Sequence, residues 1–140
     1  MSILQHVKVV SPQPEAVATF LRDIAGLPEG WSFPRSDQAT DASDGPLTWE
    51  RVMHARGASG PTGYIVGSTS TRQVQILGGE QPKIWAAAIA TRDLEAAHEA
   101  CRRQGIPVTD MRLTPFGSAQ MNAFFATVGG VTFEILRVEQ

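Results

Sequence analysis

Three side chains of this chain could hold a metal ion or move a proton together: His6, Gln75 and Glu134. They stand at corresponding places in an internal repeat. His6-Val7-Lys8-Val9-Val10 opens the first copy, and Ala86-Ala87-Ala88-Ile89-Ala90 opens the second. Val74-Gln75-Ile76-Leu77 lines up with Phe133-Glu134-Ile135-Leu136. A repeat constrains the fold before any one residue does. Its fourth aligned position is Ala86, which carries no donor. Nitrogen and mixed oxygen donors suit a divalent ion such as Zn, Mn, Co, Ni or Fe. Such an ion would polarise a carbonyl or stabilise an enediolate. The same three groups could instead bond to one another or to an organic ligand, with no metal at all. Glu134 is also a candidate general base, its pKa raised by apolar surroundings.

The elements that must position these residues follow from pattern. Residues 4–10 alternate with β-branched side chains and predict a strand. Ser11-Pro12-Gln13-Pro14 breaks it, and helical spacing of Val17, Leu21 and Ile24 predicts a helix over 15–25, stopped by Gly26. The Pro-, Gly- and Ser-rich stretch 27–45 reads as a long loop of functional length. Strands are expected at 47–55, 62–68 and 72–77. The second copy predicts a strand at 83–90, a helix over 94–104 capped by Asp93 and closed by Gly105, and strands at 107–113, 120–127 and 131–138. The unit is βαβββ, twice: module 1 over about 1–80, module 2 over about 81–140, expected as one domain.

Side chains alternate between the faces of a strand. One face of each strand is apolar and should carry the helices. His6, Lys8, Gln73, Gln75, Ala86 and Glu134 share the other, which implies a cup and not packed core. The same parity turns Trp85 away from the cup. Tyr64, Lys8 and Gln73 are candidate cup residues, with Tyr64 a second proton donor beside Glu134. His54 lies on the expected 47–55 strand, whose inward face stays open. Trp31, Trp49 and Phe116 are candidate pocket walls. His98 is expected at the solvent face of its helix and Cys101 in the core.

His6-Val7-Lys8, Asp93-Leu94-Glu95-Ala96-Ala97, Arg103-Gln104-Gly105-Ile106-Pro107-Val108, Pro115-Phe116-Gly117 and Gly130-Val131-Thr132-Phe133-Glu134-Ile135, in this order, resemble the vicinal oxygen chelate superfamily. That group includes glyoxalase I, extradiol dioxygenases, methylmalonyl-CoA epimerase and bleomycin-resistance proteins. The resemblance implies an α+β fold. Two paired βαβββ modules form a curled mixed sheet cup with the helices on the outer face. It implies a divalent metal at the floor, held from the first and fourth strands of each module: here His6, Gln75 and Glu134. The pattern is nearest the epimerases, but Ala86 stands where their second histidine would be. Gly63 and Tyr64 replace their second carboxylate.

Three functions follow as expectations. The first is a small-molecule enzyme, glyoxalase-like and of lyase or isomerase type, working through a three-ligand metal. The second is a metal-free binding protein of the bleomycin-resistance kind. The third is metal-independent acid/base catalysis in the same cup. The resemblance also implies a homodimer. Composition narrows partners further. The 140 residues carry a net charge of −2 with no basic cluster, so nucleic-acid binding has no support. No apolar run reaches the ~20 residues of a membrane span. The start of the chain shows no leader pattern, and the lone Cys101 suits a reducing, cytoplasmic setting.

Overall fold

The computed structural model describes residues 2–35, 46–116 and 118–139, the Phe116 side chain excepted. Its elements are β1 (Ile3–Ser11), α1 (Pro14–Asp23), β2 (Gly30–Pro34), α2 (Trp49–Ala55), β3 (Thr62–Ser68), β4 (Arg72–Gly78), β5 (Lys83–Ala90), α3 (Leu94–Arg103), β6 (Arg112–Phe116), β7 (Ala119–Val128) and β8 (Val131–Glu139). The strands form one curled mixed sheet in the order β2-β3-β4-β1-β5-β8-β7-β6. The α+β class and the doubled unit are as the repeat predicts.

The register makes the repeat a physical symmetry. At the centre β1 and β5 run antiparallel, with His6 opposite Ala88, Val7 opposite Ala87 and Lys8 opposite Ala86. Exchanging His6 with Ala86 and Lys8 with Ala88 returns the same pairs. On the flanks Lys8 pairs with Gln75 in β4, and Ala88 pairs with Glu134 in β8, both in parallel. A pseudo-two-fold axis therefore passes through the Val7–Ala87 pair. It relates His6 to Ala86 and Gln75 to Glu134.

Local chemistry starts and stops the helices where expected. Pro14 opens α1, where a missing N–H is harmless. Asp93 accepts a bond from the Ala96 amide at 3.1 Å and caps α3. Gly26 and Gly105, at φ +80° and +73°, take the left-handed turns that end them. Val17, Ala18 and Leu21 of α1 pack on Val66, Val74 and Ile76. Leu94, Ala97 and Cys101 of α3 pack on Phe124, Ala126 and Ile135, and Cys101, expected in the core, lies half-buried against it. His98 departs from expectation. It is half-buried, its Nε2 is 2.8 Å from the Thr109 carbonyl, and its ring stands edge-on to Phe124.

Three segments differ from the sequence reading. The expected strand at 47–55 is instead a helix. Thr48 Oγ1 accepts from the Arg51 amide at 3.1 Å, and Trp49, Val52 and Met53 recur at helical spacing. The missing strand of module 1 is β2, which lies within the stretch read as loop and pairs with β3 from Gly30 to Pro34. The last expected strand of this kind, 107–113, begins later: β6 starts at Arg112, and only Val108 bridges to Ala126 before it. The consequence for function lies in α2. Trp49 and Val52 rest on Ala88, Met121, Ala123, Phe125 and Leu136, on the face opposite α1 and α3. A helix thus fills the module 2 half of the cup, where an open floor was expected.

Candidate functional site

Two β-bulges build the floor of the cup. On β1 the register steps from Leu4–Ile89 to His6–Ala88, so Gln5 is an extra residue. On β5 it steps from Lys8–Ala86 to Val9–Ile84, so Trp85 is extra. The pseudo-two-fold relates Gln5 to Trp85, and the two bulges are symmetric. A bulge re-aims side chains that strict alternation would send to the other face. Gln5 and His6 therefore both face the cup, as do Trp85 and Ala86. The expectation that Trp85 points away is corrected by this bulge. Its ring lies 6.0 Å from that of Phe125 and 5.5 Å from the Lys8 ammonium.

His6 and Glu134 are almost sealed, at 1% and 2% exposure. His6 Nδ1 donates to Gln5 Oε1, and Gln5 Nε2 donates to Gln73 Oε1 at 3.3 Å. That bond leaves His6 Nε2 facing Glu134 Oε1 at 3.7 Å. Burial, and then the charge of Lys8, push the His6 pKa down to about 2. The imidazole is neutral at physiological pH. Lys8 Nζ lies 3.1 Å from Glu134 Oε1 and donates to Gln75 Oε1 at 3.3 Å. Among the described residues Glu134 Oε1 makes no hydrogen bond, so the buried pair is held by charge, with the Lys8–Gln75 bond as its one added hydrogen bond.

His6, Gln75 and Glu134 do converge, but an ammonium stands among them. A divalent ion would need the Glu134 and Gln75 oxygens at about 2.0–2.6 Å. Both already face Lys8, whose like charge would sit beside the ion. No cluster of three or more His, Cys, Asp or Glu side chains spaced for a metal occurs among the described residues. The donor set as it stands does not fit the metal that the resemblance implies.

The other candidates divide by face. Gln73 lies on the cup face, buried, 3.5 Å from the Gly67 carbonyl. Trp31 shares that face with Phe33 on edge strand β2 and is 40% exposed. Trp49 sits on α2, its indole N–H donating to the Asp110 carbonyl at 2.7 Å, with Phe125 edge-on. Tyr64 packs with the α1 cluster on the opposite face, so the structure does not bring it to Glu134. His54 projects from α2 to solvent, away from the floor. Phe116 belongs to β6, and its side chain lies outside the described residues. Gly63 faces the cup where the epimerase pattern has a carboxylate. A Cβ there would come within 2.3 Å of Phe33 Cζ, so the phenyl ring fills that place.

Alternation alone missed the residues around the mouth. A cavity of about 510 Å³ lies between the end of α2 and the start of β5. Arg51, Arg56 and Lys83 line it with Trp85, Thr127 and Thr132. Lys83 Nζ donates to the Ala55 carbonyl at 3.0 Å, which ties β5 to the helix end. The Arg56 guanidinium lies 5.7 Å from the Trp85 ring centre, so one indole touches both the floor cation and a wall cation. Burial, and then nearby Arg35, lower the Arg56 pKa to about 10, still charged at neutral pH. The helical spacing of Trp49, Val52 and Met53 was the signal that could have placed Arg51 and Arg56 here. A second hollow of about 620 Å³, lined by Pro12, Glu15, Tyr64 and Glu80, opens at the start of α1.

The fold and this floor define a paired-module protein of the vicinal oxygen chelate type. Residues 3–135 match the model of the Glyoxalase/Bleomycin resistance protein/Dioxygenase superfamily, and the chain belongs to that superfamily. Comparison with curated protein sequences gives no match. Among solved structures, methylmalonyl-CoA epimerase from Mycobacterium tuberculosis is 16% identical with a TM-score of 0.58, over 96% of this chain and 86% of that one. The Mn(II)-bound glyoxalase from Novosphingobium aromaticivorans is 16% identical at 0.61, over 98% of this chain and 40% of that one. A mutant 4-hydroxymandelate synthase from Streptomyces coelicolor is 9% identical at 0.64, over 99% and 49%. At these identities the likeness is one of fold. Among the described residues no helix is long and apolar enough to cross a membrane.

Proposed function

We propose that the protein binds a small amphipathic organic anion in the cavity between α2 and β5, as a metal-independent binding member of its superfamily. The observation that carries this reading is the lining. Arg51, Arg56 and Lys83 meet there, beside Trp85 and the apolar Leu47, Val52 and Ile84. None of the described lining residues bears a carboxylate or an imidazole. Guanidinium groups pair with carboxylate or phosphate through charge-assisted bonds, often bidentate. An indole and aliphatic walls suit the apolar body of the same molecule.

The lyase or isomerase reading receives less support. A general base must come within hydrogen-bond reach of the proton it takes. Glu134 is sealed and paired with Lys8, and His6 is equally sealed, its pKa of about 2 making it a weak base. The test is a thermal-shift screen of chelator-treated protein against benzoate, phthalate and phenyl phosphate, with benzamide and benzyl alcohol as neutral controls. At 100 times Kd a ligand specific for the native state adds about 2.7 kcal/mol. For a chain of this size that is a rise of roughly 10 °C. Anions should stabilise and neutral controls should not, and Arg56→Met should abolish the shift. Equal stabilisation by neutral compounds, or no response to any anion, would count against the reading.

A further inference from the structure

The groups that this fold offers to a divalent ion converge on an amine. Lys8 Nζ lies 3.1 Å from Glu134 Oε1 and 3.3 Å from Gln75 Oε1, and its side chain is 4% exposed. It also lies 5.5 Å from the Trp85 ring centre, within cation–π range. Carboxylate, amide and aromatic face together satisfy a monovalent ammonium. The pseudo-two-fold shows how the arrangement arose from sequence. Lys8 and Ala88 are symmetry counterparts, as are His6 and Ala86. One half supplies an amine where the other has a methyl group, and the same centre has an alanine where a second imidazole would stand. A donor is missing and a positive charge is present within one adjacent pair, Lys8–Ala86.

We propose that the Lys8 ammonium is a built-in replacement for the divalent ion, occupying the charge position between Gln75 and Glu134 that the fold otherwise gives to a metal. Once a fourth donor is restored at position 86, metal affinity is then withheld by the Lys8 side chain. A metal ion and the ammonium compete for the same Glu134 oxygen, and the tethered cation holds the advantage because it cannot diffuse away. This inference does not depend on what fills the cavity at the mouth.

The test uses chelator-treated full-length protein titrated with Co(II), read by visible absorption and by calorimetry, with circular dichroism to report folding. The variants are Ala86→His, which supplies a fourth donor but keeps the ammonium, and Ala86→His combined with Lys8→Ala or with Lys8→Met. The methionine keeps most of the lysine stem and guards against collapse of the site. Wild type and Ala86→His should take up no Co(II) at submillimolar concentration. The double variants should bind one equivalent at least 100-fold more tightly, and Glu134→Gln should remove that gain. Stoichiometric Co(II) on wild type or on Ala86→His, with Lys8 present, would overturn the proposal. So would a folded double variant with no gain in affinity.

Discussion

Replacing His6 with Asn should flatten the acid limb of the stability curve. His6 is 1% exposed, and burial followed by the Lys8 charge takes its pKa from 6.5 to about 2. The unfolded chain accepts a proton near pH 6.5 that the folded chain refuses. With the folded pKa below the unfolded one, the His6 contribution is fully present above pH 6.5 and is lost as pH falls toward 2. Each pH unit within that window removes about 1.4 kcal/mol, so the interval from pH 6.5 to 4.5 removes about 2–3 kcal/mol. Urea denaturation of wild type and His6→Asn at pH 7.5, 6.5, 5.5 and 4.5 reads this directly. At pH 7.5 the variant should be the less stable protein, because the bond to Gln5 and the core fit are disturbed. Toward pH 4.5 the two curves should converge by about 2–3 kcal/mol, since the carboxylates that titrate there are common to both. Curves that stay parallel across the range would refute the reasoning, because they would mean that His6 takes its proton in the folded state.

The remaining predictions concern the same floor and the helix α2 that packs in the cup. Lys8→Met and Glu134→Gln should each destabilise the fold, by about 3–5 kcal/mol for the change that strands a charge, while Lys8→Met with Glu134→Leu should recover most of the loss. A double-mutant cycle in urea measures the coupling, and simple additivity would show the pair to be energetically idle. Thr48→Ala should cost about 1 kcal/mol by removing the α2 cap, read as a shift in urea midpoint. No shift would mean that α2 is held by Trp49 and Val52 alone.

Much of the fold was legible because the chain repeats itself. The alignment of Val74-Gln75-Ile76-Leu77 with Phe133-Glu134-Ile135-Leu136 placed Gln75 and Glu134 on symmetry-related strands, and the register bears this out. Parity placed His6, Lys8 and Gln73 correctly on the cup face. It failed at Trp85 because a bulge is a property of two paired strands, and one strand read alone does not reveal its partner's register. The stretch 47–55 fits both a two-residue and a helical period over so short a run. The repeat favoured a strand there, while the Thr48 cap and the apolar bed of Ala88, Ala123 and Phe125 favour the helix. Tyr64 was a tempting acid because it is polar at its tip, yet its ring belongs to the α1 cluster. Lys8 was visible as a cup residue, but its reach to Glu134 depends on side-chain conformation that spacing does not encode.

The central claim is that this cup binds an organic anion without a metal. Isothermal titration of chelator-treated protein with the best-stabilising anion of the screen tests it most directly. The account predicts one binding site per chain, affinity unchanged by added Zn(II) or Mn(II), and loss of binding in Arg56→Met. Binding that appears only when a divalent ion is restored, or that survives Arg56→Met intact, would contradict it.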